Sequence, residues 1–219
     1  MYPVYYGPRS RPSGRRLARA LHRAGYCGQA INFGYPRLSD AINSPQAIRL
    51  ASNKRLALEH LRNSGVSVPD NASDFPCVAR PDRHRGGSGF YLCRTPVELE
   101  NALYSGCTHV TDYLEGGREF RIHVAFGKPI KLAEKIGGGI IKNFTHGCYF
   151  AYPQDFNRKI SLRRIAKSAV TSIGLDFGAV DVVYLDSQFY VLEVNSAPSL
   201  TSRSDTLERY VRAFMEREL

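Results

Sequence analysis

One stretch near the C-terminus limits what this chain can fold into more than any other. It covers residues 175–200 and reads LDFGAVDVVYLDSQFYVLEVNSAPSL, which predicts two strands joined by a turn at 186–188. Asp181, Glu193 and Asn195 interrupt runs that are otherwise apolar. A buried strand rarely carries two carboxylates and an amide, because unpaired charge there is costly. The stretch therefore predicts a hairpin built around a polar site.

The pairing of the two strands decides whether those polar side chains meet. If Leu185 pairs with Phe189 across a three-residue turn, Asp181 lies directly opposite Glu193, with Cβ atoms about 4.5–5.5 Å apart. Asn195 then lies on the same face. A two-residue turn would turn Glu193 to the other face, because side chains alternate across a strand. We therefore expect an odd-numbered turn.

Two carboxylates held that close repel each other unless a proton or a cation lies between them. Oxygen donors from Asp181, Glu193 and Asn195 suit Mg²⁺, which needs few protein ligands when phosphates supply the others. The alternative is a pair of edge-strand carboxylates facing water, which the apolar flanking residues disfavour. On the repulsion argument, Asp181→Asn should leave the stability of the metal-free protein unchanged or raise it.

A second group is rich in glycine and arginine. In PCVARPDRHRGGSGFYLC, Arg80 ends a predicted strand and the loop 83–89 follows it. Glycines let backbone N–H groups approach phosphate oxygens, and arginines neutralise them. The loop matches neither a Walker motif nor a dinucleotide fingerprint, and a glycine-rich hairpin turn explains it equally well.

A third group is HVTDYLEGGREFRIHV, residues 109–124. Asp112 and Glu119 flank a turn, and Arg121 and His123 alternate with apolar residues on the next strand. By itself this pattern predicts an amphipathic hairpin with one polar face.

Strands and helices are interspersed along the remaining chain without regular βαβ alternation, which indicates an α+β fold. Ser44-Pro45 is a strong helix start. The predicted helices are 14–23, 45–65 with a break near 52–53, 96–104, about fifteen residues ending at Gly174 with Ile160 and Ile165 on its buried face, and one after Asp205. The predicted strands are 29–33, 75–79, 89–93, 108–114, 119–126, 130–136, 178–185 and 189–195.

Composition adds a few limits. The chain has 219 residues and a net charge of +10, so its surface attracts polyanions, although a solvated basic face also explains the N-terminal arginines. Five cysteines without a CxxC pair indicate buried, reduced thiols. No apolar run is long enough for a bilayer, and the N-terminus has no secretory h-region, so we expect a cytoplasmic protein without membrane contact.

Taken in this order, the groups resemble the ATP-grasp superfamily over residues 30–215. Its specific part is the triad Asp181, Glu193 and Asn195, which has the family's spacing and implies Mg²⁺, two ions by analogy. The resemblance also implies an ATP site. Its nucleotide-binding residues would be Lys54, Arg80, Arg85, Gly87, Ser88, Gly89, Asp112, Tyr113, Leu114 and Glu119.

Within that superfamily, EFRIHVAFGKPIKLAEKI, KNFTHG and LDFGAVDVV are most similar to RimK-like ligases and short phage-encoded members. By that resemblance, Arg121, Lys135, Asn143 and His146 would surround the γ-phosphate and the acyl group. Several positions depart from the family. Arg80 replaces a lysine, Ser199 stands where "PGL" is usual, and Ala179 replaces an arginine of the D-alanine ligases, which argues against that branch.

The resemblance implies two α+β lobes enclosing the nucleotide behind a truncated N-terminal lobe. We divide the chain into 1–50, the truncated lobe; 51–112, the small lobe with the phosphate loop; and 113–219, the large lobe with the triad. The implied activity is ATP-dependent ligation of a carboxylate to an amine through an acyl phosphate.

The substrates are not specified by the sequence, although the charge hints at an acidic peptide or a modified nucleic acid, in the host cytoplasm if the chain is phage-encoded. The alternatives are a nucleic-acid- or virion-associated binding protein without ligase activity, and a kinase-like enzyme that phosphorylates without ligating.

Overall fold

The computed structural model describes residues 4–82, 89–139, 147–201 and 205–218. The helices are α1 (Arg11–Arg23), α2 (Pro45–Ser52), α3 (Lys54–Asn63), α4 (Pro96–Tyr104), α5 (Lys159–Ile173) and α6 (Thr206–Glu218). The strands are β1 (Val4–Tyr6), β2 (Ile31–Phe33), β3 (Cys77–Arg80), β4 (Tyr91–Cys93), β5 (His109–Asp112), β6 (Arg118–Ala125), β7 (Lys128–Ile136), β8 (Tyr149–Ala151), β9 (Phe177–Leu185) and β10 (Gln188–Asn195). The predicted α+β class is confirmed. Within these ranges no helix has the length and apolar character that a bilayer crossing requires.

A five-stranded antiparallel sheet forms the larger part of the fold, in the order β10-β9-β6-β7-β8. Strand β6 shows how its two faces differ. Phe120, Ile122 and Val124 are fully buried in a core that also includes residues of α3 and α5. Arg121 and His123, between them in sequence, point to the opposite face, since successive side chains alternate. One face of the sheet is therefore core, and the opposite face carries the polar side chains of β6.

The sequence predicts helix α5 and its end at Gly174, which adopts the left-handed conformation expected of a C-terminal glycine. The predicted buried face was partly wrong. Ile160 is 72% exposed, whereas Leu162 and Ala166 are buried. At 100° per residue, Ile160 lies about 200° from Leu162, so the two cannot share a face. Ile165 is at the border of the buried stripe and only partly covered.

A smaller three-stranded sheet, β4-β3-β5, packs against α4. Thr95 and Glu98 form a capping box at the start of that helix. The core beneath is small and contains Cys77, Cys93 and Cys107. All five cysteines are free and only Cys27 is exposed, in agreement with the prediction of unlinked, mostly buried thiols.

The N-terminal segment adds a parallel pair, β1-β2, and helix α1. The sequence did not predict β1, nor the edge strand β8. Leu17 and Leu21 of α1 share a core with Phe177 of β9 and with Tyr210 and Phe214 of α6. This core connects the two ends of the chain. The division at residues 50 and 112 stays a prediction.

Asn43 fastens the N-terminal segment to the large sheet. Its Nδ2 donates to the carbonyl of Phe177 at 3.0 Å, and its Oδ1 accepts from the backbone N–H groups of Asp176 and Phe177 at 2.8 and 3.1 Å. Asn43 is fully buried with φ of 62°, a conformation that asparagine tolerates better than most residues. The N-terminal segment is thus fixed to the strand that carries Asp181.

We expect acid to destabilise this protein through His123. Burial, followed by the charge of Arg121, lowers its pKa to about 3. Tyr210 donates its hydroxyl proton to the carbonyl of Gly178, so Nδ1 of a neutral His123 donates to the Tyr210 oxygen. Because the unfolded chain takes up a proton below its pKa of about 6.5 and the folded chain does not, stability should fall from about pH 6.5 toward pH 3.

At pH 4.5 this group should account for a loss of about 2–3 kcal/mol in the free energy of unfolding, measured by urea titration. His123→Gln should reduce the slope of stability against pH over this range. His22→Gln, a change at an exposed histidine of α1, is the matched control and should leave it unchanged. Equal slopes in all three proteins would contradict the assignment.

Candidate active site

The hairpin of β9 and β10 places the predicted triad on one face, but its strand pairing differs from the predicted one. The turn is Asp186-Ser187, two residues with positive φ, so Leu185 pairs with Gln188 and the predicted three-residue turn is wrong. A β-bulge between Val191 and Glu193 then adds one residue to β10. Beyond the bulge, Glu193 lies opposite Asp181 as predicted.

Charges cross the face of the large sheet in register. Arg121 of β6 lies opposite Asp181 of β9, which lies opposite Glu193 of β10. The Arg121 guanidinium donates to both oxygens of Asp181, at 2.7 and 2.6 Å, and Lys135 of β7 donates to Asp181 at 2.6 Å. Lys135 also pairs with Glu119. Each carboxylate of the row thus faces a cation.

Asp181 is the centre of this network and is only 3% exposed. Burial by itself raises the pKa of its carboxyl, but Arg121 and Lys135 outweigh burial and hold that pKa well below the usual range. The expectation that Asp181 and Glu193 simply repel is therefore wrong, because Arg121 lies 2.6 Å from one and 3.9 Å from the other. Asn195 donates to Glu193 at 2.8 Å on the same side.

Arg80 faces this row from the small sheet. It is 7% exposed, its NH2 group donates a long hydrogen bond of 3.4 Å to Thr111, and its Nε is buried without a hydrogen-bond partner. No carboxylate forms an ion pair with it in the described chain, and burial lowers its pKa to about 10. A buried guanidinium left in this state is expected where an anion binds.

Lys54 approaches the row from helix α3. It is the first residue of that helix, directly after Asn53, whose side chain caps it. Its ammonium pairs with Glu193. Burial, and after it the nearby Arg80, lowers the pKa of Lys54, while Asp181 acts in the opposite direction. The sequence prediction for Lys54 and Glu193 assigned them to different ligands, and the structure brings them into contact.

These residues line one cleft of about 650 Å³ between the two sheets, a size typical of small-molecule sites. The predicted site residues along its wall are Lys54, Arg80, Asp112, Tyr113, Leu114, Glu119, Arg121, Lys135, Asp181, Glu193 and Asn195. Gly89 lies beside Pro81 and is not among the lining residues. The predicted Arg85, Gly87, Ser88, Asn143 and His146 lie outside the described residues.

The cleft also contains residues that the sequence reasoning missed. Thr111 supports Arg80, Phe90 follows the glycine-rich loop, and Leu192 is the bulge residue itself. The loop 196–199, directly after Asn195, completes the wall. The loop could have been predicted from the sequence, since it directly continues the triad stretch. Leu192 could not, because no sequence pattern indicates the bulge.

We predict that Asp181→Asn destabilises the ligand-free protein, the reverse of the outcome expected from repulsion. The change leaves Arg121 and Lys135 buried without their shared anion, and breaking such a group costs about 3–5 kcal/mol. Chemical denaturation should show the loss. Asp186→Asn, an exposed change in the turn of the same hairpin, is the control and should be neutral. An Asp181→Asn protein as stable as the parent would contradict the ion-pair network.

Comparisons with known proteins bear on the fold. No protein-family model matches the chain. It is similar to D-alanine–D-alanine ligase of Thermotoga maritima, at 28% identity over 148 residues, 60% of this chain and 48% of the relative. The chain thus spans about half the length of that relative. The argument against this branch depended on Ala179 alone, whereas the similarity covers 148 residues.

Solved structures show the same fold. The VanG D-Ala:D-Ser ligase of Enterococcus faecalis matches with a TM-score of 0.68 and 16% identity, covering 81% of this chain and 64% of that one. The D-alanine–D-alanine ligase of Bacillus anthracis complexed with ATP matches with a TM-score of 0.64 and 17% identity, covering 80% and 68%. RimK-like proteins are not singled out by these matches, and that finer assignment stays a prediction. The solved structures thus show that this chain has the ATP-grasp fold, and its sequence is similar to that of ligases with this fold.

Proposed function

We propose that this protein uses ATP and Mg²⁺ to join a carboxylate to an amine. The observation that carries the proposal is the buried guanidinium of Arg80, whose Nε has no hydrogen-bond partner among the described residues and which faces a row of paired charges across a cleft of about 650 Å³. Similarity to ligases, one of them solved with ATP, supports the same reaction class.

The charges of the cleft suit a triphosphate. At its charged end, four cations (Lys54, Arg80, Arg121 and Lys135) oppose three carboxylates (Glu119, Asp181 and Glu193), leaving a net charge of +1. Asp112, Tyr113 and Leu114 lie at the connection between the two sheets, where adenine would bind. Val78 and Leu192 supply apolar surface in the same cleft, as a purine ring requires.

The donor set also suits Mg²⁺. Among the described residues, Oδ1 of Asp181 accepts from Arg121 Nε alone, which leaves one lone pair of that oxygen for a metal ion. When ATP binds, Lys54 would leave Glu193 and turn to the phosphates. Glu193 would then be free to bind the metal. In the described ranges no three His, Cys, Asp or Glu side chains gather into a metal cluster, so Asn195 would be the third ligand. Bound Mg²⁺ would neutralise charge on the phosphates.

The protein side chains have distinct parts in the reaction. Asp181 orients Arg121, and Glu119 together with Asp181 orients Lys135, so both cations are held rigid before substrate binds. The substrate carboxylate attacks the γ-phosphorus of ATP, and the bond to the ADP oxygen breaks. Arg80, Arg121 and Lys135 would stabilise the transferring phosphoryl group. An amine then displaces phosphate from the acyl phosphate, giving an amide after loss of a proton.

Substrate identity and cellular setting are also proposals. The relatives' names specify D-alanine and D-serine, whereas the RimK-like resemblance and the charge of +10 favour an acidic peptide or a modified nucleic acid as acceptor. Free thiols in the core suit a reducing compartment such as the cytoplasm. A screen of amino acids and acidic peptides for ADP release, read by mass spectrometry, would identify the substrate. A dehydration adduct indicates a ligase, and a stable phosphorylated product a kinase.

Mg·ATP should stabilise the fold by linkage. At a ligand concentration of 100 Kd the gain is about 2.7 kcal/mol, which corresponds to a rise in Tm of about 5–10 °C. ATP with EDTA should raise Tm far less, and Glu193→Gln should reduce the difference between the two conditions. Equal shifts with and without the metal would count against the magnesium site.

Arg80→Ala should weaken ATP binding and lower turnover by about 100-fold or more, since a preorganised cation at the phosphates is lost. Arg80→Lys, which introduces the residue most of the superfamily has, should keep part of the activity. Arg11→Ala, on the exposed side of α1, is the control for the loss of one arginine. ATP affinity that responds to Arg11 and not to Arg80 would refute the site.

A further inference from the structure

The charge of this protein is concentrated at its N-terminal end. Residues 1–39 contain seven arginines and no lysine, aspartate or glutamate, so they carry +7 of the total +10, and the remaining 180 residues carry +3. The arginines of this segment are Arg9, Arg11, Arg15, Arg16, Arg19, Arg23 and Arg37. The proposed reaction uses none of them, because none lines the cleft.

Helix α1 arranges four of these arginines in a row. Arg11, Arg15, Arg19 and Arg23 recur every fourth residue and all are exposed. With a rise of 1.5 Å per residue, their Cα atoms are about 6 Å apart along the axis and the row is about 18 Å long. The opposite side of the helix is buried through Leu17 and its neighbours, so the row faces outward.

The row lacks anionic partners in the described part of the protein. Across the described part of the chain, no carboxylate forms an ion pair with any of its four guanidinium groups. Exposed arginines elsewhere do pair, as Arg55 does with Asp82, Arg94 with Glu115 and Arg209 with Asp205. Like charges four residues apart on a helix repel each other. The row thus keeps a repulsion that a bound polyanion would relieve.

We propose that the arginine row of α1 binds the phosphate backbone of double-stranded nucleic acid. Guanidinium groups bind phosphate in a bidentate manner, and a duplex presents one charge per about 1.7 Å along its axis. Contacts between arginine and phosphate fix the position of a protein on a duplex but carry no information on base sequence. Binding is therefore independent of base sequence.

Two other polyanions fit the row less well. Single-strand binding surfaces combine positive charge with aromatic side chains that stack on bases, and α1 has no aromatic residue. Arginine clusters also recognise acidic peptides, but peptide binding draws further affinity from strand edges, apolar grooves or pockets for side chains. Among the described residues before Tyr35, no large hydrophobic side chain is exposed, so the surface around the row lacks such a groove.

The test is fluorescence anisotropy with a labelled DNA duplex of about 20 base pairs, without nucleotide or Mg²⁺, so that its outcome does not depend on the ligase proposal. Four phosphate contacts predict a slope of log K against log salt of about −3.6, a loss of about 150-fold between 50 and 200 mM. A triple variant, Arg15→Glu, Arg19→Glu and Arg23→Glu, should reduce the slope to about −0.9.

The matched control is the triple variant Arg163→Glu, Arg164→Glu and Lys167→Glu on α5, another basic helix with exposed side chains at these positions. It changes the net charge equally and should keep the parent slope. Circular dichroism and Tm check that each variant folds, and a triple change to glutamine at 15, 19 and 23 repeats the test without introduced negative charge. Equal loss of binding in the α5 variant would overturn the proposal.

Competition identifies the ligand class. Unlabelled duplex should displace the probe more effectively than a single strand of the same length or polyglutamate. Tighter binding of the single strand would assign the row to single-stranded nucleic acid, and tighter binding of polyglutamate to acidic polypeptides. Either result would overturn the proposal, as would a salt slope near zero in the parent protein.

Discussion

The bidentate ion pair between Arg121 and Asp181 is the interaction on which the rest of the cleft depends. It joins the adjacent strands β6 and β9 of the large sheet on their polar face, and it makes a buried carboxylate tolerable there. Lys135 shares the same anion and so is fixed as well. Because one carboxylate serves two cations, the geometry of the charged wall is set before any ligand binds, which would limit the reorganisation that the proposed phosphoryl transfer requires.

The β-bulge after Val191 is the second constraint. With the tight turn at Asp186-Ser187, a regular ladder would have turned Glu193 into the hydrophobic core beside α5, where an unpaired carboxylate is costly. One extra residue in β10 restores Glu193 to the side of Asp181 and adds Leu192 to the cleft wall. Bulges next to functional sites commonly re-aim a side chain in this way.

The short N-terminal segment is attached to the site at several points. Asn43 bonds to the start of β9, and Ser13 and Arg16 of α1 bond to the backbone of Leu200, in the loop that follows Asn195. The segment therefore supports the strand and the loop that flank the charged row. The same helix turns its arginine row outward, so one element combines a structural inner face with a strongly charged outer face.

Local patterns determined much of this protein. Alternation on β6, the cap at Ser44 and the interruption of apolar strands by Asp181 and Glu193 follow from short-range physics, so most of the elements, the α+β class and many residues that line the cleft could be predicted from sequence. Only the tertiary structure decided the bulge and the partners of Asp181. Both depend on elements distant in sequence. Burial against helix α5 selects the register of β10, and Arg121 and Lys135 reach Asp181 from the two strands β6 and β7. Repulsion inferred from two carboxylates alone was wrong because the neutralising cations come from elsewhere in the chain.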